Sequence, residues 1–159
     1  MWTTVLPIYC VGGMAYCVGG KDMEKLQITD MVAKAKERIE NLTVSQVARE
    51  LETGDVLLVD LREQNERELH GAIPGSIHAP RGMLEFWADP TFSLHRAEFD
   101  PNRRVILHCA AGGRSALAAD TLQQMGYRSV AHMLGGFEAW KAEGQPTVAA
   151  TDLPEASAH

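Results

Sequence analysis

Cysteine is scarce in this chain: three residues, Cys10, Cys17 and Cys109, among 159. An odd, sparse set excludes a disulfide-stapled secreted module and points to a reducing compartment. No two cysteines stand at C-x-x-C spacing and the six histidines are scattered, so no zinc or other metal site is expected. Basic residues are the minority charge, 15 Lys and Arg against 21 Asp and Glu, for a net charge of −6. Such a balance lacks the footprint of a nucleic-acid or anionic-membrane binder, and any cationic site must be local. There is no long Ser, Gln or Pro tract and charged residues make up 23%, which excludes a largely disordered chain. What is present, 45% hydrophobic residues, suffices for one domain with one good core.

The run Trp2 to Gly20 also lacks charge. It holds Pro7, four glycines, two threonines and two tyrosines, which makes it weak for a membrane span. No basic segment precedes Val5, as a signal peptide would require. Residues 1–22 are therefore expected to be a loosely held leader, with Met23 resembling an ordinary start. Over 23–40, Ile28, Val32, Ala35 and Ile39 recur at helical spacing, and an N-terminal helix is expected there. Its exposed region from Met31 to Ile39 makes it the expected contact of a homodimer.

The remainder reads as alternating helix and strand. Thr43-Val-Ser-Gln46 has capping-box spacing and predicts a helix running to Thr53, stopped by Gly54. Val56 to Asp60 and Arg104 to His108 are short apolar runs of the kind buried on both faces of a sheet. A turn-rich stretch from Gly71 to Gly82 contains a brief strand at Ile77, and Met83 to Trp87 predicts a short helix. Further elements are a helix over 115–125, a strand over 129–133 and a helix over 137–143. Residues 146–159, rich in Pro, Ala, Ser and Thr, predict a flexible tail. No Asn-Gly hairpin signal appears, so the economical architecture is a doubly wound parallel sheet with helices on both faces.

Chemistry concentrates after the second buried run, where Cys109-Ala-Ala-Gly-Gly-Arg114 leads directly into the 115–125 helix. The free N–H groups and dipole of a helix start favour an anion in the loop before it. Gly112 and Gly113 permit the backbone turns of an anion cradle. A cysteine at the carboxyl edge of a strand faces that cradle, and its thiolate form is favoured there, making Cys109 a candidate nucleophile. Phe86 and Trp87 are expected in the core rather than at the pocket mouth, and Phe137 and Trp140 are expected to pack.

Four spaced stretches resemble the single-domain rhodanese-like sulfurtransferases. Cys109 to Ser115 resembles the family's C-x-x-G-x-R-S loop, and Asp60-Leu-Arg-Glu63 its D-x-R segment. His70 to Ile77 is similar to G-H-I-P-G-A-I, and Leu134 to Trp140 to the closing L-x-G-G-x-x-A-W helix. The resemblance runs over about 40–146, with the domain set at 41–145. Ala72 stands where the family usually has His, and no role passes to His70.

The resemblance implies a rhodanese fold and a sulfurtransferase without cofactor. Cys109 would take the outer sulfur of a small donor such as thiosulfate as a persulfide. It would then pass that sulfur to cyanide or a thiol. The amides of Ala110, Ala111, Gly112, Gly113 and Arg114 are expected to converge on that sulfur. Arg114 is expected either to hold the donor's sulfonate or to pair with Glu66. Asp60 and Arg62 are expected to support the loop from the neighbouring strand. Small donor and acceptor molecules are the expected partners, with neither nucleic acid nor membrane, in the cytoplasm. Two alternatives stand beside this reading: a cysteine-based phosphatase or arsenate reductase, and a non-catalytic interaction module of the same fold.

Overall fold

The computed structural model describes residues 25–153. The leader expected at 1–22, with Cys10 and Cys17, lies outside the described residues, as do 23–24 and the last six residues of the tail.

Five strands make one sheet: β1 (Glu40–Leu42), β2 (Val56–Asp60), β3 (Ile77–His78), β4 (Arg104–His108) and β5 (Ser129–Met133), in the order β1-β5-β4-β2-β3. All paired neighbours are parallel, with Asp60 opposite His108 across β2 and β4. Alternation along the central strands divides the core. Leu57, Val59, Val105 and Leu107 face one side, beneath α1 (Ile28–Arg38), α4 (Leu84–Ala88) and α5 (Gly113–Gln124). Leu58, Ile106, Ala131 and Met133 face the other, beneath α2 (Val44–Thr53) and α6 (Gly136–Ala142). Both faces are covered, as parallel sheets require.

Local signals explain several boundaries. Thr43 and Gln46 form a reciprocal capping box at the start of α2, and Gly54 follows its last turn. The first helix is shorter than the 23–40 span expected. It starts at Ile28, after Gln27 in extended conformation, and Ile28 itself stays 62% exposed while Ala35 and Ile39 are buried.

Two elements were absent from the sequence pattern. Strand β1 has three residues, too few to show alternation. Helix α3 (Gln64–His70) carries no apolar stripe, and its Leu69 is exposed; its start is made by a Glu63–Glu66 capping box. The stretch expected to begin a flexible tail is fastened at its start. Val148 exchanges two backbone hydrogen bonds with Ala72, and Trp140 Nε1 donates to the Pro146 carbonyl. Backbone pairing, which composition does not reveal, holds this segment to the domain.

Candidate active site

Cys109 directly follows β4 at the carboxyl edge of the sheet and is 2% exposed. The chain then turns through Ala110 and Ala111 to Gly112, whose φ of 96° lies in the left-handed region where a side chain is strained. That turn starts α5 and aims the Gly112 N–H at Cys109 Sγ, at 3.2 Å. Of the five amides expected to converge, Gly112 donates to the sulfur, and the Ser115 hydroxyl lies 3.7 Å away. Gly113 and Arg114 form the first turn of α5, so their positions follow the helix path.

The loop is braced from outside by α6. Phe137 N–H donates to the Cys109 carbonyl at 2.8 Å and Glu138 N–H to the Ala110 carbonyl at 3.0 Å. This approach explains the Gly135-Gly136 pair. A side chain at Gly136 would overlap the carbonyl oxygens of Cys109 and Ala110. With those carbonyls turned toward α6, the loop's amides are left for its inner side.

Beside the end of β4 lies a buried polar cluster. Asp60, fully buried at the end of β2, accepts from the Arg62 backbone N–H and from its Nε and Nη2, at 2.7–3.1 Å. Arg67 of α3 approaches the same carboxylate at 3.3 Å, and His108 Nε2 lies 3.8 Å from it without a hydrogen bond. Burial pushes the Asp60 carboxyl up, but His108 and then the Arg62 hydrogen bonds outweigh it and hold the carboxyl below its ordinary value. Burial drives His108 down in turn, against the pull of the Asp60 carboxylate. Two guanidinium groups face one carboxylate, leaving one positive charge in surplus beside the end of β4. Arg62 also donates to the Gly71 carbonyl and lies 3.8 Å over the Phe137 ring.

Arg114 adopts the second of its two expected arrangements. Both terminal nitrogens donate to Glu66, each at 2.7 Å. These bonds hold Arg114 above its usual value and draw Glu66 down to about 2. Asp60 and Arg62 thus form one ion pair, and Glu66 forms another with Arg114, which faces Cys109.

Arg62 and Glu66 also line a pocket of about 340 Å³ beside Ala110, with His70, Phe137, Glu138 and Lys141. His70 opens a stretch that resembles the family but takes no role from it, Lys141 has no motif spacing to mark it, and Phe137 both packs in the core and walls this pocket. Phe86 and Trp87 do not line it. Trp87 packs on the core, as expected, with Arg96 stacked 3.3 Å over its ring; Phe86 does not follow that expectation and is 47% exposed.

A family model described as "Rhodanese-like domain" matches residues 43–143, well over half of the chain. The chain belongs to the rhodanese-like family. It is 35% identical over 98 residues to a sulfurtransferase of Allochromatium vinosum, a match covering 62% of this chain and 83% of that protein. It spans between 39% and 66% of three further relatives. Its fold is similar to that of the thiosulfate sulfurtransferase of Pseudomonas aeruginosa, with a TM-score of 0.62 and 25% identity. That match covers 82% of this chain and 23% of that one. A Rhodopseudomonas palustris protein of unknown function, described as a "Possible Tyrosine Phosphatase", aligns with a TM-score of 0.76 and 40% identity. It matches over 82% of this chain and all of its own. The family match and the sulfurtransferase-named relatives place this protein in a sulfurtransferase family, and among the described residues no helix is long and apolar enough to cross a membrane.

Proposed function

We propose that this protein is a thiosulfate-type sulfurtransferase working through a persulfide on Cys109 in the cytoplasm, where its sparse cysteines would stay reduced. The observation that carries the reading is the buried Cys109 at the mouth of α5, with an amide on its sulfur and a surplus cationic charge beside the end of β4. The Cys109 thiolate attacks the outer sulfur of thiosulfate; a new S–S bond forms, the donor's S–S bond breaks, and sulfite leaves with the electron pair. Cyanide or a thiolate then attacks the terminal sulfur, and Cys109 departs as thiolate. No base is consumed in either step. The amide of Gly112 and the cationic surplus favour the anionic species throughout. Ala110, Ala111, Gly113 and Arg114 complete the loop, with Asp60, Arg62 and Glu66 holding it.

A phosphatase reading draws on the description of the R. palustris relative. Two features weigh against it. The loop has four residues between Cys109 and Arg114, one fewer than phosphatases with this kind of loop, so its amides have less room for a tetrahedral group. The Nη1–Nη2 edge of Arg114 is already taken by Glu66, so a phosphate would have to use the Nε side or displace the carboxylate. The test is paired: the protein is expected to form thiocyanate from thiosulfate and cyanide and to show negligible hydrolysis of aryl phosphates. Aryl phosphate hydrolysis through Cys109 faster than sulfur transfer would overturn the reading.

A further inference from the structure

Behind Cys109, two buried polar groups, Ser115 and His132, and the half-buried Asn41 form a chain to the edge of the sheet. Ser115 Oγ lies 3.7 Å from Cys109 Sγ and 3.2 Å from His132 Nδ1, and His132 Nε2 lies 2.9 Å from Asn41 Oδ1. The proton order in this chain follows from its far end. Asn41 Nδ2 donates to the carbonyls of Lys36 and Ile39, which turns Oδ1 toward His132. That oxygen can only accept, so His132 carries its proton on Nε2. Burial, aided by the nearby charge of Lys36, pushes His132 down to about 4, so the imidazole is neutral and Nδ1 is a bare acceptor.

The Ser115 hydroxyl has one proton and two oxygen- or nitrogen-based acceptors in reach, Gly112 O and His132 Nδ1, each at 3.2 Å. Gly112 O already receives the Ala116 N–H, whereas His132 Nδ1 has no other donor among the described residues. Leaving a buried acceptor unpaired is costly, so the proton goes to His132.

We propose that His132 is a positioning residue that, held by Asn41, turns the Ser115 proton away from Cys109 Sγ. Ser115 then accepts from the Cys109 thiol and does not donate to the thiolate, which leaves the Gly112 N–H as the thiolate's donor. Turning the hydroxyl toward the sulfur would strand His132 Nδ1. The pair therefore withholds one hydrogen bond from the Cys109 thiolate. The other titratable groups facing the cysteine are Arg114, tied to Glu66, and the Asp60–Arg62–Arg67 cluster with His108; Lys36 of α1 faces His132. None of them is altered by the variants below.

The inference rests on Cys109 being the nucleophile, and its test does not depend on sulfur transfer. In the full chain, the rate of Cys109 alkylation by iodoacetamide is followed against pH. In His132→Leu the alkylation midpoint falls by about half to one pH unit, the worth of one released hydrogen bond. Asn41→Leu, which frees the imidazole to take its other tautomer, shifts it the same way by less. In a Ser115→Ala background both shifts vanish. A midpoint that is unchanged or raised in His132→Leu, or a fall that persists without the Ser115 hydroxyl, would overturn the proposal. Should His132→Leu fail to fold, long-range proton–nitrogen NMR of the unmutated protein reads the tautomer directly. A proton on Nε2 supports the proposal, and one on Nδ1 refutes it.

Discussion

The two ends of the central strands invert each other's charge pattern. At the amino end, Arg104 opens β4 and binds two carboxylates, Glu40 and Glu50, at 2.6 and 2.8 Å. At the carboxyl end, Asp60 closes β2 and meets two guanidinium groups, Arg62 and Arg67. The first cluster is partly solvated, with Glu40 half exposed, while Asp60 and Arg62 are sealed from water. Solvated pairs add little stability, and their charge surplus is screened. A sealed surplus is felt across a low-dielectric gap, and here it lies beside the end of β4, which Cys109 directly follows. One end fastens strands β1 and β4 to α2; the other supplies the field of the site.

Substitutions sharpen that contrast. The largest effect on activity is at the carboxyl end: Cys109→Ser abolishes thiocyanate formation while circular dichroism stays native, because a hydroxyl at its ordinary pKa forms no persulfide. Asp60→Ala removes the carboxylate paired with two buried cations, Arg62 and Arg67. It should cost about 3–5 kcal/mol in urea unfolding, the range for a buried charge left unpaired. Arg114→Ala frees Glu66 and loosens the loop, and sulfur transfer should fall between about tenfold and 100-fold with a small change in stability. Arg104→Ala, at the amino end, should cost about 1 kcal/mol or less and leave turnover unchanged. Equal losses from Asp60→Ala and Arg104→Ala would erase the distinction between the two ends.

Acid separates the ends further. Glu66 sits at about 2 when folded against its ordinary 4.5, so its pairing stabilises the protein above pH 4.5, and that contribution fades as pH falls toward 2. Glu66→Gln should flatten this part of the stability profile, read as thermal midpoint against pH. The effect is small because both partners are partly solvated.

Much of this arrangement was legible in the residues because local chemistry dictated it. The capping box of Thr43 and Gln46, the two buried strand runs and the Cys109–Arg114 loop each carry their signal within a few positions. The Arg114–Glu66 pair was one of two arrangements foreseen, and the fork geometry now chooses between them. The rest depends on distance in sequence. Helix α3 hid because its apolar face is nearly absent, and β1 because three residues show no period. His132 stands in a strand with no motif around it. Only the pairing of β1 with β5, Asn41 beside His132, brings its partner to it. The amino-end cluster likewise joins residues from β1, α2 and β4, which no spacing rule connects.

The central claim is that the carboxyl-end site holds a sulfur atom covalently on Cys109. Intact-protein mass spectrometry after treatment with thiosulfate tests it directly. The account predicts a gain of one sulfur atom in the unmutated protein, its removal by cyanide, and no gain in Cys109→Ser. A folded protein that takes up no sulfur, or a gain that survives in Cys109→Ser, would contradict it.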